Sequence, residues 1–560
     1  MKKLTTYFLM TFVLLCVAPI VSMAEEVEID GIRYSLVKKI KEATVISKDD
    51  KYSGDIIIPS TVEYENILYN VVCIGNSAFK ECYNISSIDI PSSVTSIEED
   101  AFYYCTSLTS VTIPNSVISI GRSAFAYCSG LCEVFIGDNV ETVGAYAFYV
   151  CSNLKTINIP SSVLSFGERA FGYCYALQTI DIPNGEIGPG AFYKCTNLTT
   201  ATIGGDNLNK STIIKHSVFE DCEKLSLLNI GINVTYIGSM AFNKCKNLKK
   251  INISDLAAWC NISFDSNPLS YAHNLYLNDE IVTELIIPNN IRNINARSFM
   301  DCTSLISVTI PNSVVSIGKG AFYGCTELTS LSMSDGVTNI ENESFTSCSR
   351  LSSIDIPNSV KYIGDSSFEG CTSVISISIG NGIQQIGSQA FSNCSDLENF
   401  TCHSIVVPQT DISAFDNSYT EYAKLKVPDE SLNAYKATAP WSGFGSFEGF
   451  SGNVSEKEKC ATPTIHYANG KITFECETEG VTYQSTITNP DVASYYGNEI
   501  NLGGTYNVKV YATKPGWDDS DEATATINLL EGAGIIGDVD GDGLINMMDV
   551  TKIINIILGK

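Results

Sequence analysis

One phrase of sequence returns through the chain at a fixed spacing, and it limits what the chain can fold into. The phrase is A-F-x-x-C-x-x-L-x-x-I-x-I-P-x-S-V-x-x-I-G, first complete at residues 101–121. Its cysteine recurs every 23 residues in two blocks, at Cys82, Cys105, Cys128, Cys151 and Cys174, and at Cys302, Cys325, Cys348, Cys371 and Cys394. Between the blocks, Cys195, Cys222 and Cys245 follow at 21, 27 and 23 residues. Such a period predicts a repeat solenoid, in which each unit buries its apolar face only against its neighbours.

Each repeat contains two short extended segments and one turn. L-x-x-I-x-I-P alternates apolar and polar residues and ends at proline, which cannot donate to a strand ladder. S-V-x-x-I-G predicts a second strand, and A-F-x-x-C predicts a helical turn. Stacked repeats place equivalent strands in parallel, about 4.8 Å apart. The phenylalanines at one equivalent position are then expected to form a buried column: Phe102, Phe125, Phe148, Phe171, Phe192, Phe322 and Phe391.

Thirteen cysteines at the repeat position form a second predicted column. Regularly spaced cysteines are either metal ligands or disulfide partners, or else small buried hydrophobes. Metal ligands cluster in space, whereas these are spread one per repeat with parallel side chains, so the spacing favours buried thiols. Either interpretation stays open for the cysteines outside the pattern: Cys73, Cys132, Cys260, Cys402, Cys460 and Cys476.

The repeat resembles the BspA-like leucine-rich repeats of bacterial surface proteins. Ala124-Phe125, Cys128, Leu131, Ile136 and Ile317-Gly318 match that family's motif. The resemblance implies a curved, right-handed, leucine-rich-repeat-like solenoid with parallel strands and, more loosely, a protein that adheres to host matrix proteins or other cells. Repeats that depart from the motif, at 203–214 and 254–281, are expected to protrude as loops, while residues 282–288 still fit a repeat strand.

In a leucine-rich repeat the third and fifth strand residues point outward, and here many carry hydroxyl groups. Serine and threonine are also ordinary soluble strand residues, so a plain structural role competes with recognition at each position. Phe135 and Leu227 are the stronger candidates, because exposed apolar side chains need a reason. The candidate recognition face comprises Asp89, Thr112, Glu133, Phe135, Asn158, Asp181, Leu227 and Asp355.

Segments of different composition flank the repeats, which are predicted over 79–427. Residues 25–78 predict an N-terminal cap, with an edge strand at 32–36 and a degenerate repeat strand at 55–59. Residues 428–459 predict a C-terminal cap and linker. Five aromatic residues there either plug the open core or form a carbohydrate platform: Tyr435, Trp441, Phe444, Phe447 and Phe450.

Residues 1–24 have the pattern of a secretory signal peptide. Lys2 and Lys3 precede an apolar run, and Ser22-Met23-Ala24 gives a small-x-small cleavage site. No later apolar run reaches the length of a membrane span, so no membrane insertion is expected after cleavage. The net charge of −27 makes nucleic acid and anionic membranes poor partners. The expected location is secreted or at the bacterial cell surface.

Residues 460–530 change to a period of two, which predicts a small β-sandwich. The alternation is clear at 471–476, 506–511 and 523–527, with turns between. Residues 461–465 together with 508–517 and Ser520 resemble the immunoglobulin-like module at the C-terminus of chitobiase-type enzymes. That resemblance implies a spacer domain.

Residues 535–560 carry the spacing of a calcium loop followed by a helix. Oxygen donors stand at loop positions 1, 3, 5, 9 and 12, a carbonyl at 7, and glycine at 6 for the sharp turn. The predicted Ca²⁺ ligands are Asp538, Asp540, Asp542, Leu544, Asn546 and Asp549. An aspartate at position 12 and no preceding helix resemble the dockerin half-repeat, which implies a cohesin-like partner. A dockerin normally has two such loops, so the apolar stripe of this helix needs another cover.

No catalytic constellation stands out, because the four histidines, at 216, 273, 403 and 466, lack metal-ligand spacing. We expect an exported, non-enzymatic binding or adhesion protein that presents its solenoid face to a host or cell-surface protein or glycan. The alternative is a structural component of an extracellular polysaccharide-handling assembly, docked through its C-terminus.

Overall fold

The computed structural model describes residues 24–207, 209–451, 460–468, 471–488, 504–513 and 520–529. The predicted calcium loop and helix, and the predicted signal peptide apart from its last residue, lie outside these ranges. The repeats form a parallel solenoid in which each coil gives one strand to each of two sheets. We name the sheet built from L-x-x-I-x-I the front sheet, the sheet built from S-V-x-x-I the back sheet, and the A-F-x-x-C side the turn side.

The front sheet confirms the predicted parallel stacking, with equivalent residues of successive coils in register. A short antiparallel strand, Glu280–Ile281, interrupts it. The front strands are Ser53–Ile57, Asn84–Asp89, Ser110–Thr112, Glu133–Phe135, Thr156–Ile157, Thr179–Ile182, Thr200–Ile203, Leu227–Ile230, Lys250–Ile253, Leu275–Leu277, Glu284–Ile286, Ser307–Ile310, Ser330–Met333, Ser353–Ile356, Ser376–Ile379, Asn399–Cys402, Lys424–Pro428 and Ser446–Phe450.

The back sheet is also parallel through the repeats and falls into two hydrogen-bonded parts, which divide after Ser263–Phe264. Most of its strands are only two residues long, and glycine follows several of them. They are Ile67–Ile74, Ser96–Ile97, Ser119–Ile120, Thr142–Val143, Ser165–Phe166, Gly185–Ile187, Thr212–Ile214, Val234–Ile237, Ser263–Phe264, Asn293–Ile294, Ser316–Ile317, Asn339–Ile340, Tyr362–Ile363, Gln385–Ile386 and Gln409–Thr410.

The predicted phenylalanine column is confirmed. From Phe79 to Phe242, successive ring centroids lie 4.8–5.4 Å apart with planes within 10° of parallel. A second column from Phe299 to Phe391 has spacings of 5.1–5.5 Å. All of these rings are fully buried. One continuous apolar core therefore runs between the sheets and the turn side.

The turn side is not helical, contrary to the prediction for A-F-x-x-C. Alternate N–H groups leave the coil and bond to the next one: Phe102 N–H donates to the carbonyl of Ala124 (2.7 Å) and Tyr104 N–H to that of Ala126 (2.9 Å). This requires left-handed backbone just before the alanine and just before the cysteine, as at Asp100 (φ 55°) and Tyr104 (φ 63°). Each such residue costs about 1–2 kcal/mol. The inter-coil hydrogen bonds offset that cost, which a five-residue helix inside one coil would not do.

The cysteine column is buried and hydrogen-bonded. Cys105 Sγ donates to the carbonyl oxygen of Phe79 in the preceding coil, 3.2 Å away. The same contact recurs at 3.1–3.6 Å for Cys128, Cys151, Cys174, Cys195, Cys222, Cys245, Cys325, Cys348, Cys371 and Cys394. A small hydrophobe with a weak donor fits this position, which supports the buried-thiol interpretation. No disulfide joins any two cysteines of the described residues.

Residues 254–281 do not protrude, contrary to expectation. They form an irregular coil with two helices, Leu256–Cys260 and Leu269–Ala272, and its two strands stay in the sheets. The next coil presents backward-facing carbonyls, and side chains of this segment satisfy them. Trp259 Nε1 donates to the carbonyl of Ser298 at 2.9 Å, and Asn267 Nδ2 donates to the same carbonyl at 2.9 Å.

The other irregular stretch, 203–214, was predicted to protrude as a loop, and its middle does so. Thr200–Ile203 and Thr212–Ile214 remain in the front and back sheets, while Asp206, Asn207 and Asn209 between them are exposed. The chain therefore leaves the coil only between its two strands.

The N-terminal cap extends the back sheet with Glu25–Ile29, Ile32–Val37 and Glu42–Val45, and adds Thr61–Tyr64. The strand expected at the edge, Ile32–Val37, is flanked on both sides; Glu25–Ile29 is the edge strand. The strand predicted at 55–59 does join the front sheet, through its pairing with Asn84–Asp89.

The aromatic cluster at the far end is a plug, as one of the two interpretations proposed. Tyr435, Trp441 and Phe444 are buried. The Trp441 ring lies 5.1 Å from that of Phe415, which continues the phenylalanine column. Short helices support this cap: Leu432–Ala437, and 3-10 turns at Thr420–Tyr422, Asp429–Ser431 and Trp441–Gly443.

The described part of 460–529 contains only antiparallel strands. Thr464–Ala468 pairs with Lys471–Glu475, and Gly504–Thr513 lies between Thr482–Thr488 and Ala523–Leu529. These strands agree with the period-two alternation of the sequence. That they make up an immunoglobulin-like sandwich stays a prediction. Across all described residues, no helix combines the length and apolar character needed to cross a bilayer.

Thiol reactivity tests the cysteine column in protein lacking residues 1–24. Burial raises the pKa of Cys151, Cys325 and Cys348 well above the ordinary value, so these thiols neither ionise nor meet solvent. We expect DTNB to react with native protein only at the half-buried Cys73, Cys132 and Cys476, and with the other 16 described cysteines after unfolding in guanidinium. Cys151→Ala is the control and lowers the second count by one. A second count well below 16 would reveal disulfides or bound metal.

Candidate functional site

The candidate recognition face lies on the outer surface of the front sheet, where inward isoleucines alternate with outward side chains. Seven of the eight predicted residues are exposed: Asp89, Thr112, Glu133, Phe135, Asn158, Asp181 and Asp355. Leu227 is half-buried, so it presents less apolar surface than expected. Phe135 is 53% exposed.

Strand register brings some of these residues together and separates others. Thr112 and Phe135 are register partners on neighbouring strands, and Glu133 lies on the same strand as Phe135. Asp181 is the register partner of Thr202 on the neighbouring front strand. Asp355 belongs to the second block of coils, in a separate hydrogen-bonded group of strands. The face is therefore a long surface with local clusters rather than one compact site.

Asn158 is tied to the backbone. Its Oδ1 accepts from Ile136 N–H at 2.8 Å, and its Nδ2 donates to the Ile136 carbonyl at 3.0 Å. The side chain thus replaces the backbone pairing where this group of front strands ends. Its polar groups are used structurally, which the strand pattern alone did not indicate.

A second set of polar groups links coils on the same surface. Asn229 Nδ2 donates to Thr202 Oγ1 at 3.1 Å, Asn252 Nδ2 donates to Asn229 Oδ1 at 3.3 Å, and Asn252 Oδ1 accepts from Asp279 N–H at 2.8 Å. This ladder holds its side chains in fixed orientations. This polar ladder begins three strands beyond the strand of Phe135. We name Phe135 with its neighbours Thr112 and Glu133 the Phe135 cluster.

Two carboxylates of the front sheet have pKa values that are shifted in opposite directions. Partial burial raises the pKa of Asp181 above its ordinary value. Hydrogen bonds from Ser87 and Ser86 lower the pKa of Asp55. Neither arrangement pairs an acid with a nearby base in a closed pocket. Among the described residues, no group of three or more His, Cys, Asp or Glu side chains could hold a metal ion.

One surface was missed by the sequence reasoning: a row of tyrosines on the turn side. This tyrosine row comprises Tyr103, Tyr127, Tyr149, Tyr173 and Tyr193, one from each of five successive coils. The sequence does contain its signal, at the two variable positions of A-F-x-x-C. In five successive coils this motif reads AFYYC, AFAYC, AFYVC, AFGYC and AFYKC.

Comparison with known families settles the fold family. The model for the BspA type Leucine rich repeat region matches six copies in this chain, over residues 72–199, 185–281 and 270–398. The chain belongs to this family. No curated protein matches it.

Several solved structures of BspA-type or other leucine-rich-repeat proteins resemble the chain. A leucine-rich repeat protein from Bacteroides ovatus is 26% identical over 72% of this chain and 99% of its own, with a TM-score of 0.42. A leucine rich cell surface protein from Faecalibacterium prausnitzii is 27% identical over 68% and 94%, with a TM-score of 0.35. The pneumococcal vaccine antigen PcpA is 17% identical over 77% and 99%, with a TM-score of 0.37.

The Asp181 carboxylate gives a pH test of the front face. A raised pKa in the folded state favours the protonated form, so this contribution to stability is present at low pH and lost as pH rises through the folded pKa. We expect Asp181→Asn to raise the guanidinium midpoint at pH 7, with the gain shrinking as pH falls through the carboxylate range.

The matched control is Asp355→Asn at the equivalent strand position, which removes one negative charge from a chain of net charge −27. A gain of equal size in both variants, or one that does not change with pH, would show that general charge repulsion and not burial is responsible.

Proposed function

We propose that this protein is an exported, non-enzymatic binding protein that adheres through its front sheet. BspA-type repeat proteins are typically surface-exposed, and leucine-rich-repeat proteins generally bind proteins or other ligands without catalysing a reaction. The observation that carries the proposal is the Phe135 cluster, an exposed aromatic ring with Thr112 and Glu133 beside it on the front sheet.

The Phe135 cluster has the composition of a binding anchor. The ring is exposed between Thr112 on one neighbouring strand and the coil of Asn158 on the other, with Glu133 on its own strand. The tie between Asn158 and Ile136 keeps this neighbourhood rigid. Binding hot spots combine an aromatic anchor with a polar rim that excludes water. A protein or glycan on the surface of a host or another cell is the partner class that we propose.

Retention on immobilised matrix proteins, mucin and whole cells tests the proposal. We expect Phe135→Ser to weaken binding by about tenfold, the loss expected when an anchor worth more than about 1 kcal/mol is removed. Ile118→Ser is the matched control, because Ile118 is 51% exposed and lies next to the back sheet. An unchanged affinity of Phe135→Ser, or wild-type protein that none of these surfaces retains, would contradict the proposal.

For the C-terminal segment we propose Ca²⁺ binding by the loop that starts at Asp538. Five side-chain oxygens and the carbonyl of Leu544 provide the number of hard donors that Ca²⁺ prefers. A dockerin-like role toward a cohesin-like partner, and a spacer role for the preceding β module, belong to the same proposal. The alternative, an assembly component docked through this segment, gains no support from the described part of the chain, which stops short of it.

Calorimetric titration of the full chain with CaCl₂ tests the loop. We expect one site with a Kd of about 1 mM or tighter, within the range of single oxygen-ligand loops. The double variant Asp538→Asn/Asp542→Asn should lose it, because two carboxylate ligands are gone. Asp396→Asn, which removes an exposed solenoid carboxylate, should leave it unchanged. A silent wild-type titration would refute calcium binding and leave the front-sheet proposal untouched.

A further inference from the structure

The tyrosine row is a continuous chain of ring contacts along the solenoid. Successive ring centroids, from Tyr103 through Tyr127, Tyr149 and Tyr173 to Tyr193, lie 5.4, 5.7, 5.3 and 5.4 Å apart. Neighbouring planes meet at 67–78°, so each ring edge faces the next ring. Edge-to-face contact at these distances is favourable and fixes the rings.

Local sequence produces this zigzag. The tyrosine follows its phenylalanine directly in one coil and stands one residue later in the next, so the rings alternate in position. The vacated position holds a small residue in two coils, Ala126 and Gly172. A Cβ at Gly172 would lie 3.2 Å from a carbon of the Tyr149 ring, so glycine there leaves room for that ring.

The fold does not require these tyrosines. In the second block the same two positions hold Thr346 and Ser347 in one coil, and Ser392 and Asn393 in another. The inter-coil bonds are nevertheless unchanged; Ser347 N–H, for example, donates to the Glu369 carbonyl at 2.7 Å. Phenylalanine stacking continues through that block as well. The five aromatic rings on the first block therefore need an explanation other than coil formation.

The five tyrosines of the row are half-buried, so each keeps part of its side chain at the surface. Within the described residues their hydroxyl groups make no hydrogen bond to the protein, so each retains a donor and an acceptor. Other tyrosines widen the row on both sides: Tyr104 stacks on Tyr127 at 4.6 Å, Tyr146 packs on Tyr149 at 5.3 Å and Tyr175 on Tyr173 at 5.9 Å.

Two cations beside the row are paired with carboxylates. Lys80 lies over the Tyr103 ring and forms a 2.7 Å ion pair with Asp100. Arg122 lies over the Tyr146 ring and is 3.8 Å from Glu99.

Farther along, Arg169 lies over the Tyr193 ring, and Glu168 accepts a hydrogen bond of 2.7 Å from the Tyr146 hydroxyl. Lys194 lies over both the Tyr173 and the Tyr193 ring, and within the described residues neither it nor Arg169 forms an ion pair. Glu168 and Glu220 line the recess beside Tyr193 together with Arg169. Because four cations and four carboxylates flank the row in all, the surface favours neither a polyanion nor a polycation.

We propose that the tyrosine row is a second binding site, separate from the front sheet, and that its ligand is a neutral, linear polysaccharide. The spacing of one coil, about 4.8 Å, is close to the length of one sugar residue in an extended polysaccharide. Because the rings alternate, equivalent rings recur every second coil, about 9.6 Å apart, so an extended ligand meets an equivalent ring and hydroxyl group at every second sugar residue. Sugar C–H faces pack on aromatic rings, and sugar hydroxyls pair with phenol, guanidinium and carboxylate groups.

The size of the row favours a polysaccharide over a folded protein. Five half-buried rings expose together on the order of 200 Å². A standard protein interface takes about 800 Å² from each partner. A recess of about 360 Å³ beside Tyr193, lined also by Glu168, Arg169, His216 and Glu220, gives room for a chain end or branch.

Affinity electrophoresis of the full chain in gels that contain hydroxyethylcellulose, a neutral mannan or a neutral xylan tests the site, with polygalacturonate as the charged comparison. We expect at least one neutral polymer to retard the wild type. Tyr127→Ser/Tyr149→Ser should weaken that binding at least about fivefold, because two ring contacts are lost. Tyr323→Ser is the matched control, since Tyr323 directly follows Phe322 in the second block and belongs to no ring pair of the described residues.

Two further variants keep the result interpretable. Tyr127→Phe/Tyr149→Phe keeps the rings and removes the hydroxyls, and thermal melting by circular dichroism shows whether each variant is folded. Phe135→Ser, run in the same gels, shows whether the retarded polymer binds the front sheet instead; loss of binding in the tyrosine double variant, and not in Phe135→Ser, assigns the polymer to the row. The proposal is overturned if no neutral polymer retards the wild type, if only polygalacturonate does, or if a folded serine double variant binds as tightly as Tyr323→Ser.

Discussion

Every coil of this solenoid is stable only through its contact with the next, and the stacked phenylalanine rings are the centre of that contact. Each ring is fully buried between two others about 5 Å away, and burying a ring of this kind removes on the order of 150–250 Å² from water. No coil has a core of its own. Two consequences follow: the stack must be closed wherever it stops, and residues that point away from it are free to vary.

The closures use large aromatic residues at each interruption. Tyr52 packs on Phe79 at 4.7 Å where the first column begins, and Trp441 packs on Phe415 where the second column ends. Trp259 is buried at the junction between the columns. Tyr52 and Trp441 therefore cover the end rings of the stack, while Trp259 packs on Phe264 with ring centroids 5.0 Å apart.

Features that depend on the pattern of apolar and polar side chains could be predicted from the sequence. Features that depend on the sign of the backbone φ angle could not. Periodicity predicted the strands and the phenylalanine column, because inward positions recur as apolar residues. It did not predict the turn side, because left-handed backbone occurs at residues as different as Arg169 and Ser347. The available hint was glycine at these two positions in a few coils: Gly190 and Gly320 before the alanine, and Gly324 and Gly370 before the cysteine. Likewise Trp259 matches no repeat, and its role lies in a hydrogen bond to Ser298, 39 residues away.

The same holds for the candidate site: the sequence shows which side chains point outward but not which contacts they make. The sequence located exposed residues on the front sheet because strand alternation assigns every second residue to one surface. It did not show that Asn158 is tied to the backbone of Ile136, since that contact spans 22 residues. The two blocks share one backbone but differ at the turn side, with a run of tyrosines in one and, in the other, residues as varied as Met300, Tyr323 and Ser392. Because stacking does not constrain these positions, ligand specificity can reside there without loss of the fold.

The turn-side hydrogen bonds also give the solenoid a direction, and that direction explains which residues close its ends. Every inter-coil N–H there points toward the C-terminal end, as from Phe79 to the Ala101 carbonyl. The first coil therefore presents unsatisfied carbonyls, and Lys51 Nζ donates to that of Lys80 at 2.7 Å.

The same rule holds at the junction and at the far end. In the first coil after the junction, the backbone groups without a partner from a preceding regular coil are again carbonyls. Trp259 and Asn267 supply the N–H donors that bind them. In the last coil, the backbone groups that have no following coil to bond to are N–H groups. The Asp411 carboxylate accepts a hydrogen bond from one of them, Ser413 N–H, at 2.9 Å. Donor side chains close carbonyl ends and a carboxylate closes an N–H end, because a buried or half-buried backbone group without a partner costs about as much as a lost hydrogen bond. The polarity of one repeated backbone contact thus selects the chemistry of residues that lie outside the repeat.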